Sequence, residues 1–498
     1  MKYAVDGAMS KYIDRYTIER IGVDSLVLME RAALAVAEKT AQVAAAFKRA
    51  VRICAVCGIG NNGADGVAAA RILTWQGLNV DIITVGDEGK ATPEMKKQLD
   101  IARNSGIIFA KRESIPEYDI VIDALFGIGL SREISGDFAL TVNLMNQSHN
   151  VIISVDIPSG IDAGSGNVHG VAVMANATVT FGYNKMGIML KNGREYAGEV
   201  TVADIGFCRD AIKDLKPAMY FTLEDVNGIP HRNPDSNKGT YLRTLIIAGN
   251  EDMSGAAYLS AAAAYRCGCG LVEIFTHARN AGVIRSLLPE AIVTGYDDDA
   301  WKDGLQASLK RADTVIIGPG LGTGILSDKI VQYTMAECKV PMIIDADAIN
   351  LLAKNKNMID ECSAPMILTP HVAEASRLFG VDKEKVMADP VGTARDFIGT
   401  RNIVCLVKDS VTVAICGESG LYINNSGCAA MSKGGMGDVL TGVIAGMLAL
   451  RLEPFSAAAM GVYVHGLAGE FAAEHRGEHG VLASDLIEEL GRWENYVS

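Results

Sequence analysis

The stretch Ser432-Lys433-Gly434-Gly435-Met436-Gly437-Asp438-Val439-Leu440-Thr441-Gly442 sets three glycines within four positions, then an acid, then the apolar run 439–450. Glycines let a backbone approach a ligand closely. The free amides and positive dipole end of a helix start attract phosphate. Asp438 works against an anion there, so two readings fit it. It is a base or polar clamp aimed at a ligand hydroxyl, or it is a helix N-cap after a flexible turn. In both, a glycine loop feeds a buried helix at the end of a sheet, and the chain upstream repeats that order of elements.

Working back, strand patterns at 404–408, 411–415 and 420–424 precede the loop, the last two spaced as a hairpin. Further strands are predicted at 242–248, 271–276, 314–317 and 342–344. The last two of these end in Gly318-Pro319-Gly320-Leu321-Gly322 and Asp345-Ala346-Asp347. Ala256 and Ala257 open an alanine-rich helix that runs to Arg266. His371 follows a Thr369-Pro370 turn, where it is either a ligand contact or structural. Pro217, Pro230 and Pro234 among polar residues mark a linker over 210–240.

In the amino half, residues 9–49 read as one helix with Leu26, Val27, Met29, Ala32, Ala33 and Val36 on one side. A strand over 51–57 enters Gly58-Ile59-Gly60-Asn61-Asn62-Gly63-Ala64-Asp65-Gly66 and a helix over 67–76. Strand, glycine-rich turn and helix form a nucleotide-binding βα unit of Rossmann type. Asn61, Asn62 and Asp65 add amide and carboxylate groups that a simple phosphate loop does not need. A strand at 78–85 and a helix at 94–105 follow. Asp123 then ends a buried strand before Gly127-Ile128-Gly129-Leu130, and Asp156-Ile157-Pro158-Ser159-Gly160 repeats the arrangement. Strand carboxyl ends of a doubly wound sheet meet at one crevice, so Asn62, Asp123, Asp156 and Ser159 are expected around one pocket. One carboxylate among neutral oxygens favours a monovalent hard cation over calcium. A strand pattern over 178–185 closes on Lys185, a partner for the buried Asp156.

At 498 residues the chain has room for two large domains or three smaller ones. Its 49% hydrophobic and 21% charged residues supply an ample core. The net charge of −13 argues against nucleic acid as a partner, while small anions can still bind backbone amides. No signal peptide or membrane span is expected, because no continuous apolar run of the required kind appears. The scattered cysteines, including Cys54 with Cys57 and Cys267 with Cys269, read as buried free thiols of a reducing cytoplasm.

Taken together, these motifs resemble the bifunctional NAD(P)H-hydrate repair enzymes. The resemblance is carried by Met29-Glu30-Arg31-Ala32, the loops at 60–66, 123–129 and 156–160, and Lys185 in the amino half. In the carboxyl half it rests on Lys238-Gly239, Gly255-Ala256-Ala257, the loops at 318–322 and 345–347, Leu368-Thr369-Pro370-His371 and the loop at 434–438. It implies two three-layer α/β/α domains: a Rossmann-like epimerase over 1–215 and a ribokinase-like ADP/ATP-dependent dehydratase over 222–498. The first would interconvert the R and S hydrates of NADH and NADPH. The second would dehydrate the S form while ADP is hydrolysed to AMP.

By motif position, the resemblance makes Asn62, Asp123 and Ser159 ligands of potassium, and Asp156 with Lys185 the proton-handling pair. Asn61, Asn62, Gly63, Ala64 and Asp65, with Gly127, Ile128, Gly129, Leu130, Ser131, Arg132 and Glu133, would hold the hydrate. In the second domain Lys408, Asp409, Ser410, Val411, Thr412 and Gly437 would line the nucleotide site, with magnesium accompanying ADP or ATP. Ala256, Ala257, Gly320, His371 and the catalytic Asp438 would face the hydrate. A cytoplasmic homo-oligomer is expected. Two residues depart from the pattern: Ala64 stands in place of a glycine, and Asp409 in place of the glycine after Lys408. Two other readings stay open at this level. One is a ribokinase-like kinase for a vitamin or sugar; the other is an amino half serving only as a binding module.

Overall fold

The computed structural model describes residues 1–418 and 420–496. The chain forms two compact units, one of Tyr3–Ala218 and the other of Met219 onward with Met1–Lys2. The last two residues of the 222–498 expectation lie outside the described residues.

In the amino unit, β1 (Lys2–Val5) is followed by α1 (Gly7–Arg15) and α2 (Ser25–Ala46). The single helix expected over 9–49 is therefore broken. A π-helical turn, Tyr16–Ile21, ends at Gly22 with φ 90°, and the Asp24 side chain caps α2 by accepting from Leu26 N at 2.8 Å. A left-handed glycine and an aspartate cap two residues apart stop one helix and start the next. The buried stripe of α2 is Leu28, Met29, Ala32, Ala33 and Val36, whereas Val27 is exposed, contrary to the face drawn from sequence.

The sheet of this unit consists of β2 (Arg52–Cys57), β3 (Asn79–Thr84), β4 (Ile120–Ala124), β5 (Val151–Val155), β6 (Ala177–Phe181) and β8 (Glu199–Ala203). It runs β3-β2-β4-β5-β6-β8 and is parallel throughout. The single strand expected over 178–185 is split: β6 ends at Phe181, and after the turn at Gly182, with φ 69°, the short β7 (Asn184–Lys185) pairs in parallel with β1. Helix α3 (Asn61–Trp75) packs on α2 through alanines and Val67 in one core.

The carboxyl unit places β9 (Ala218–Tyr220), β10 (Arg243–Ile247), β11 (Leu271–His277), β12 (Ile292–Tyr296), β13 (Thr314–Ile317), β14 (Met342–Ile344), β15 (Met366–Leu368), β16 (Ile403–Val407), β17 (Val413–Cys416) and β18 (Gly420–Ile423) in one sheet. Its order is β12-β11-β10-β13-β14-β15-β16-β17-β18-β9. It is parallel except where β17 pairs antiparallel with β16 and β18, the expected hairpin.

The helix Met436–Ala449 crosses the helix Ser254–Arg266 through glycines. A Cβ on Gly442 would lie 2.2 Å from the Ser260 carbonyl oxygen and 2.7 Å from Ala263 Cβ. Gly442→Ala gains about 1 kcal/mol of helix propensity, but overpacking costs about 1–3 kcal/mol. Net destabilisation is expected, read as a thermal midpoint lowered by a few degrees; an unchanged or raised midpoint would contradict this crossing.

Candidate functional sites

In the amino unit β2 lies between β3 and β4, so the strand order reverses between β2 and β4 and the loops after them flank a crevice. A cavity of about 600 Å³ opens there. Asn61, Asn62, Asp65, Asp156, Lys185 and the loop 127–132 line it. Gly63 and Ala64 do not, because residues 61–65 form the first turn of α3 and these two positions point inward. A Cβ on Gly63 would meet the Gly58 carbonyl at 1.8 Å, and Ala64 is fully buried in the core. The methyl of Ala64 is thus packing rather than an obstruction to substrate. Glu133 is exposed and lies outside the lining.

Asp123 ends β4 fully buried. Its Oδ1 accepts from Ser159 Oγ at 2.6 Å, and its Oδ2 accepts from Ser154 Oγ at 2.8 Å and Ser159 N at 2.9 Å. Burial pushes this carboxyl up, and the hydrogen bonds from Ser159 and Ser154 offset part of the rise. These partners are neutral, so the charge of an ionised Asp123 is balanced by dipoles alone. Asn62 Nδ2 is buried without a partner among the described residues, and the Asn62 amide packs against Gly127, where a Cβ would sit 3.0 Å from Oδ1. Contrary to the expectation of four residues around one pocket, Asp123 and Ser159 are fully buried and only Asn62 and Asp156 line the cavity; a carboxylate, an amide oxygen and a hydroxyl are nonetheless the donor types that a monovalent cation takes.

Asp156 follows β5 with φ 63°, a conformation that costs a non-glycine residue about 1–3 kcal/mol and clusters at functional sites. Its Oδ1 accepts from Lys185 Nζ at 2.8 Å and from Phe181 N at 3.0 Å. The ammonium of Lys185, buried at the end of β7, also donates to Thr180 Oγ1 at 2.8 Å and to the carbonyls of Tyr183 and Phe181 at 3.1 and 3.2 Å. Asp65 is held well above the usual carboxylate range by burial, then by the Asp156 and Asp14 carboxylates.

The reversal in the carboxyl unit lies at β10, between β11 and β13. Gly249 N donates to Pro319 O at 2.9 Å, joining the loops after β10 and β13. Gly320 has φ 60°, and a Cβ there would touch Ala256 Cβ at 3.0 Å, so these two share one wall. Ala257 turns into the core. Asp345, at the end of β14, is buried, and its Oδ1 accepts from Lys408 Nζ at 2.7 Å and Thr369 Oγ1 at 2.7 Å. A Cβ on Gly437 would lie 3.5 Å from that Lys408 nitrogen and 3.6 Å from Asp345 Oδ2. The glycine loop, Lys408 and Asp345 therefore converge.

Asp438 sits in the first turn of the helix Met436–Ala449, half-buried. Burial and the Asp345 carboxylate push it up to about 6; Lys408 opposes them and Asp347 adds to them. Its backbone is held by Ser260 Oγ and Thr441 Oγ1, which donate to its carbonyl at 3.0 and 2.7 Å. His371 caps the helix Val372–Phe379, its Nδ1 accepting from Ala373 N at 3.1 Å while the ring stays half-exposed. Lys408 N donates to Pro370 O at 2.8 Å, setting the 408–412 turn beside that cap. In that turn Asp409 and Ser410 are exposed, Val411 is buried and Thr412 half-buried. Asp345 and Asp347, which read as strand punctuation in the sequence, are the electrostatic neighbours of Asp438. Cys54, Cys57, Cys267 and Cys269 are buried free thiols that burial pushes up, which makes them inert.

Residues 244–492 match the family described as NAD(P)H-hydrate dehydratase, and residues 25–187 match the family described as YjeF-related protein N-terminus. The bifunctional NAD(P)H-hydrate repair enzyme of Thermofilum pendens is 34% identical over 96% of this chain and 94% of its own. That of Moorella thermoacetica is 32% identical over 98% and 96%. Among solved structures, the ADP/ATP-dependent NAD(P)H-hydrate dehydratase of Bacillus subtilis, co-crystallised with ATP and Mg2+, is 30% identical with a TM-score of 0.51, covering 56% of this chain and 99% of that one.

Proposed function

The chain belongs to the bifunctional NAD(P)H-hydrate repair enzymes, and we propose from that premise which residues of its two crevices do the work. The protein interconverts the R and S hydrates of NADH and NADPH (NADHX and NADPHX) and dehydrates the S form with a nucleotide phosphoanhydride.

The carboxyl crevice is the dehydratase site. The observation that carries this assignment is Asp438, raised to about 6 beside Asp345 and Lys408 where the glycine loop enters its helix. Hydroxide leaves a ring carbon poorly, so phosphoryl transfer to the hydrate's hydroxyl comes first. Asp438 takes the hydroxyl proton as the oxygen attacks the terminal phosphorus and AMP leaves; the phosphorylated oxygen then departs as phosphate, pushed out by the ring nitrogen lone pair, and the neighbouring carbon gives up a proton to that phosphate as the C=C bond re-forms. Lys408, Gly437 and the 408–412 turn hold the nucleotide. Ala256, Gly320 and His371 orient the hydrate, and loop amides face the developing phosphoryl charge. Ala257 supports this wall from the core. Magnesium comes with the nucleotide, bound largely through phosphate oxygens as this cation prefers. ADP is the nucleotide we favour.

The amino crevice is the epimerase site. Asp156, fixed by Lys185, handles protons there, and Asn61, Asn62, Asp65 and residues 127–132 hold the substrate. Potassium would be held by Asn62, Asp123 and Ser159, where it supplies the positive charge that the neutral partners of Asp123 lack. Replacing potassium with lithium should lower epimerisation at least tenfold and leave dehydration of the S form unaffected; equal epimerisation in both salts would remove potassium from the site.

The overall assignment is tested by incubating mixed epimers of hydrated NADH with ADP and magnesium. Full recovery of the reduced-nicotinamide absorbance is expected, because the R form is drawn through the S form. Recovery stopping at the S fraction would refute the epimerase assignment, and no recovery with either ADP or ATP would refute the dehydratase assignment. The free thiols fit a reducing, cytoplasmic setting.

A further inference from the structure

One wall of the amino cavity belongs to none of the glycine loops. Helix α1 turns Ser10, Lys11 and Asp14 toward it, with Ser10 and Asp14 one turn apart on one face. Ser10 is only 8% exposed, yet its Oγ has no hydrogen-bond partner among the described residues. Leaving a buried hydroxyl unpaired is costly, and because Ser10 lines the cavity a ligand held there is the partner it can take. Asp14 is exposed and lines the same space, and its carboxyl is raised above the usual range, first by partial desolvation and then by the Asp156 carboxylate. The helix continues directly into the π-helical turn Tyr16–Ile21, a distortion frequent at functional sites.

Building on the epimerase reading, we propose that Asp14, with Ser10 one turn before it on the same face, is the second proton-handling residue of epimerisation, acting on the substrate from α1 while Asp156 acts from the end of β5. Water adds to an enamine at the carbon bonded to nitrogen, because the nitrogen lone pair stabilises the cation there; the R and S hydrates differ at that carbon. Inversion begins when the C–O bond breaks: the oxygen keeps the electron pair, takes a proton from Asp14 and leaves as water. The nitrogen lone pair closes a C=N bond. A water adds to the opposite face, forming the new C–O bond, and its proton goes to Asp156. One water leaves and one enters, so the substrate's composition is unchanged. The enzyme ends with Asp14 ionised and Asp156 protonated, the state that runs the reverse inversion; exchange with solvent restores the first state. Two groups with different environments suit these opposite roles: Asp156 lies against an ammonium, and Asp14 does not share that contact. The other titratable or charged groups lining the cavity are Lys11, Asp65, Arg132, Tyr183 and Lys185.

The test uses the full-length chain with Asp14→Asn, Asp14→Glu and Ser10→Ala, following R-to-S conversion by chromatography, with dehydration of the S epimer as an internal control. Asp14→Asn should lower kcat for epimerisation about 10²–10⁴-fold with KM little changed and dehydration intact. Asp14→Glu should recover part of that loss, and Ser10→Ala should lose less than Asp14→Asn. Wild-type epimerisation by Asp14→Asn overturns the proposal, as does a loss confined to KM or a loss that Asp14→Glu does not relieve at all. A wild-type protein that dehydrates the S form without interconverting epimers would instead overturn the epimerase reading on which this rests. The two failures are therefore distinguishable.

Discussion

Asp438→Asn should lower dehydration of the S hydrate about 10²–10⁴-fold, the usual contribution of a positioned general base, with the KM for ADP nearly unchanged. The substitution is isosteric and leaves the backbone clamp of Ser260 and Thr441 on the residue 438 carbonyl in place, so the fold should survive it. Epimerisation in the same protein should stay at the wild-type rate. The charge setting also fixes a pH profile. Asp438 sits at about 6 because burial and Asp345 raise it more than Lys408 lowers it. A base must be unprotonated, so kcat/KM should be flat above that value and fall tenfold per pH unit below it. In Lys408→Met the opposing positive charge is gone, and the acid limb should move to higher pH on top of weakened nucleotide binding. An Asp438→Asn protein with the wild-type rate would remove the base from the mechanism. An acid limb that stays put in Lys408→Met would show that Asp438 does not titrate in it.

The central strands of both sheets were legible in the sequence because their signals are local, whereas the edge strands β8 and β12 and the short β1, β7 and β9 were not read from it. Apolar runs of strand length, each ended by glycine or an acid, identify the edge where ligands bind, and a parallel sheet then gathers those ends whatever their separation along the chain. That is why Asn62, Asp156 and Lys185, spread over more than a hundred residues, could be placed around one cavity. What stayed hidden depends on rotation about a helix axis. Gly63 and Ala64 belong to a loop motif, but as the first turn of α3 they point into the core, while Asn61, Asn62 and Asp65 point out. Ser10 and Asp14 carry no motif; only the docking of α1 brings them to the cavity. The break at Gly22 and Asp24 did carry a signal, a C-terminal glycine and an N-cap acid, but apolar residues continuing on both sides masked it. Asp345 was legible as a strand end and illegible as a partner, because its lysine arrives from the end of β16, sixty-three residues away.

Lys185→Met should be the most damaging single change in the amino unit, in stability as well as activity. The side chain is 2% exposed, and its ammonium has an anion, a hydroxyl and two carbonyls for partners. Methionine restores none of these bonds and leaves Asp156 without its counter-charge. Breaking a buried pair by removing one partner costs about 3–5 kcal/mol; the opening of Asp156 onto the cavity puts the lower end of that range in force. At about 2–4 °C per kcal/mol for a unit of this size, thermal inactivation of epimerase activity should begin roughly 6–12 °C earlier. The double variant Lys185→Met with Asp156→Asn separates the two consequences. Removing both charges takes away the uncompensated carboxylate, so much of the stability should return. Epimerisation should not, because the carboxylate that handles the proton is gone along with the group that fixed it. Activity returning together with stability would mean the pair is a structural tie beneath the cavity. Stability returning alone would place the strained Asp156 and its lysine in the chemistry.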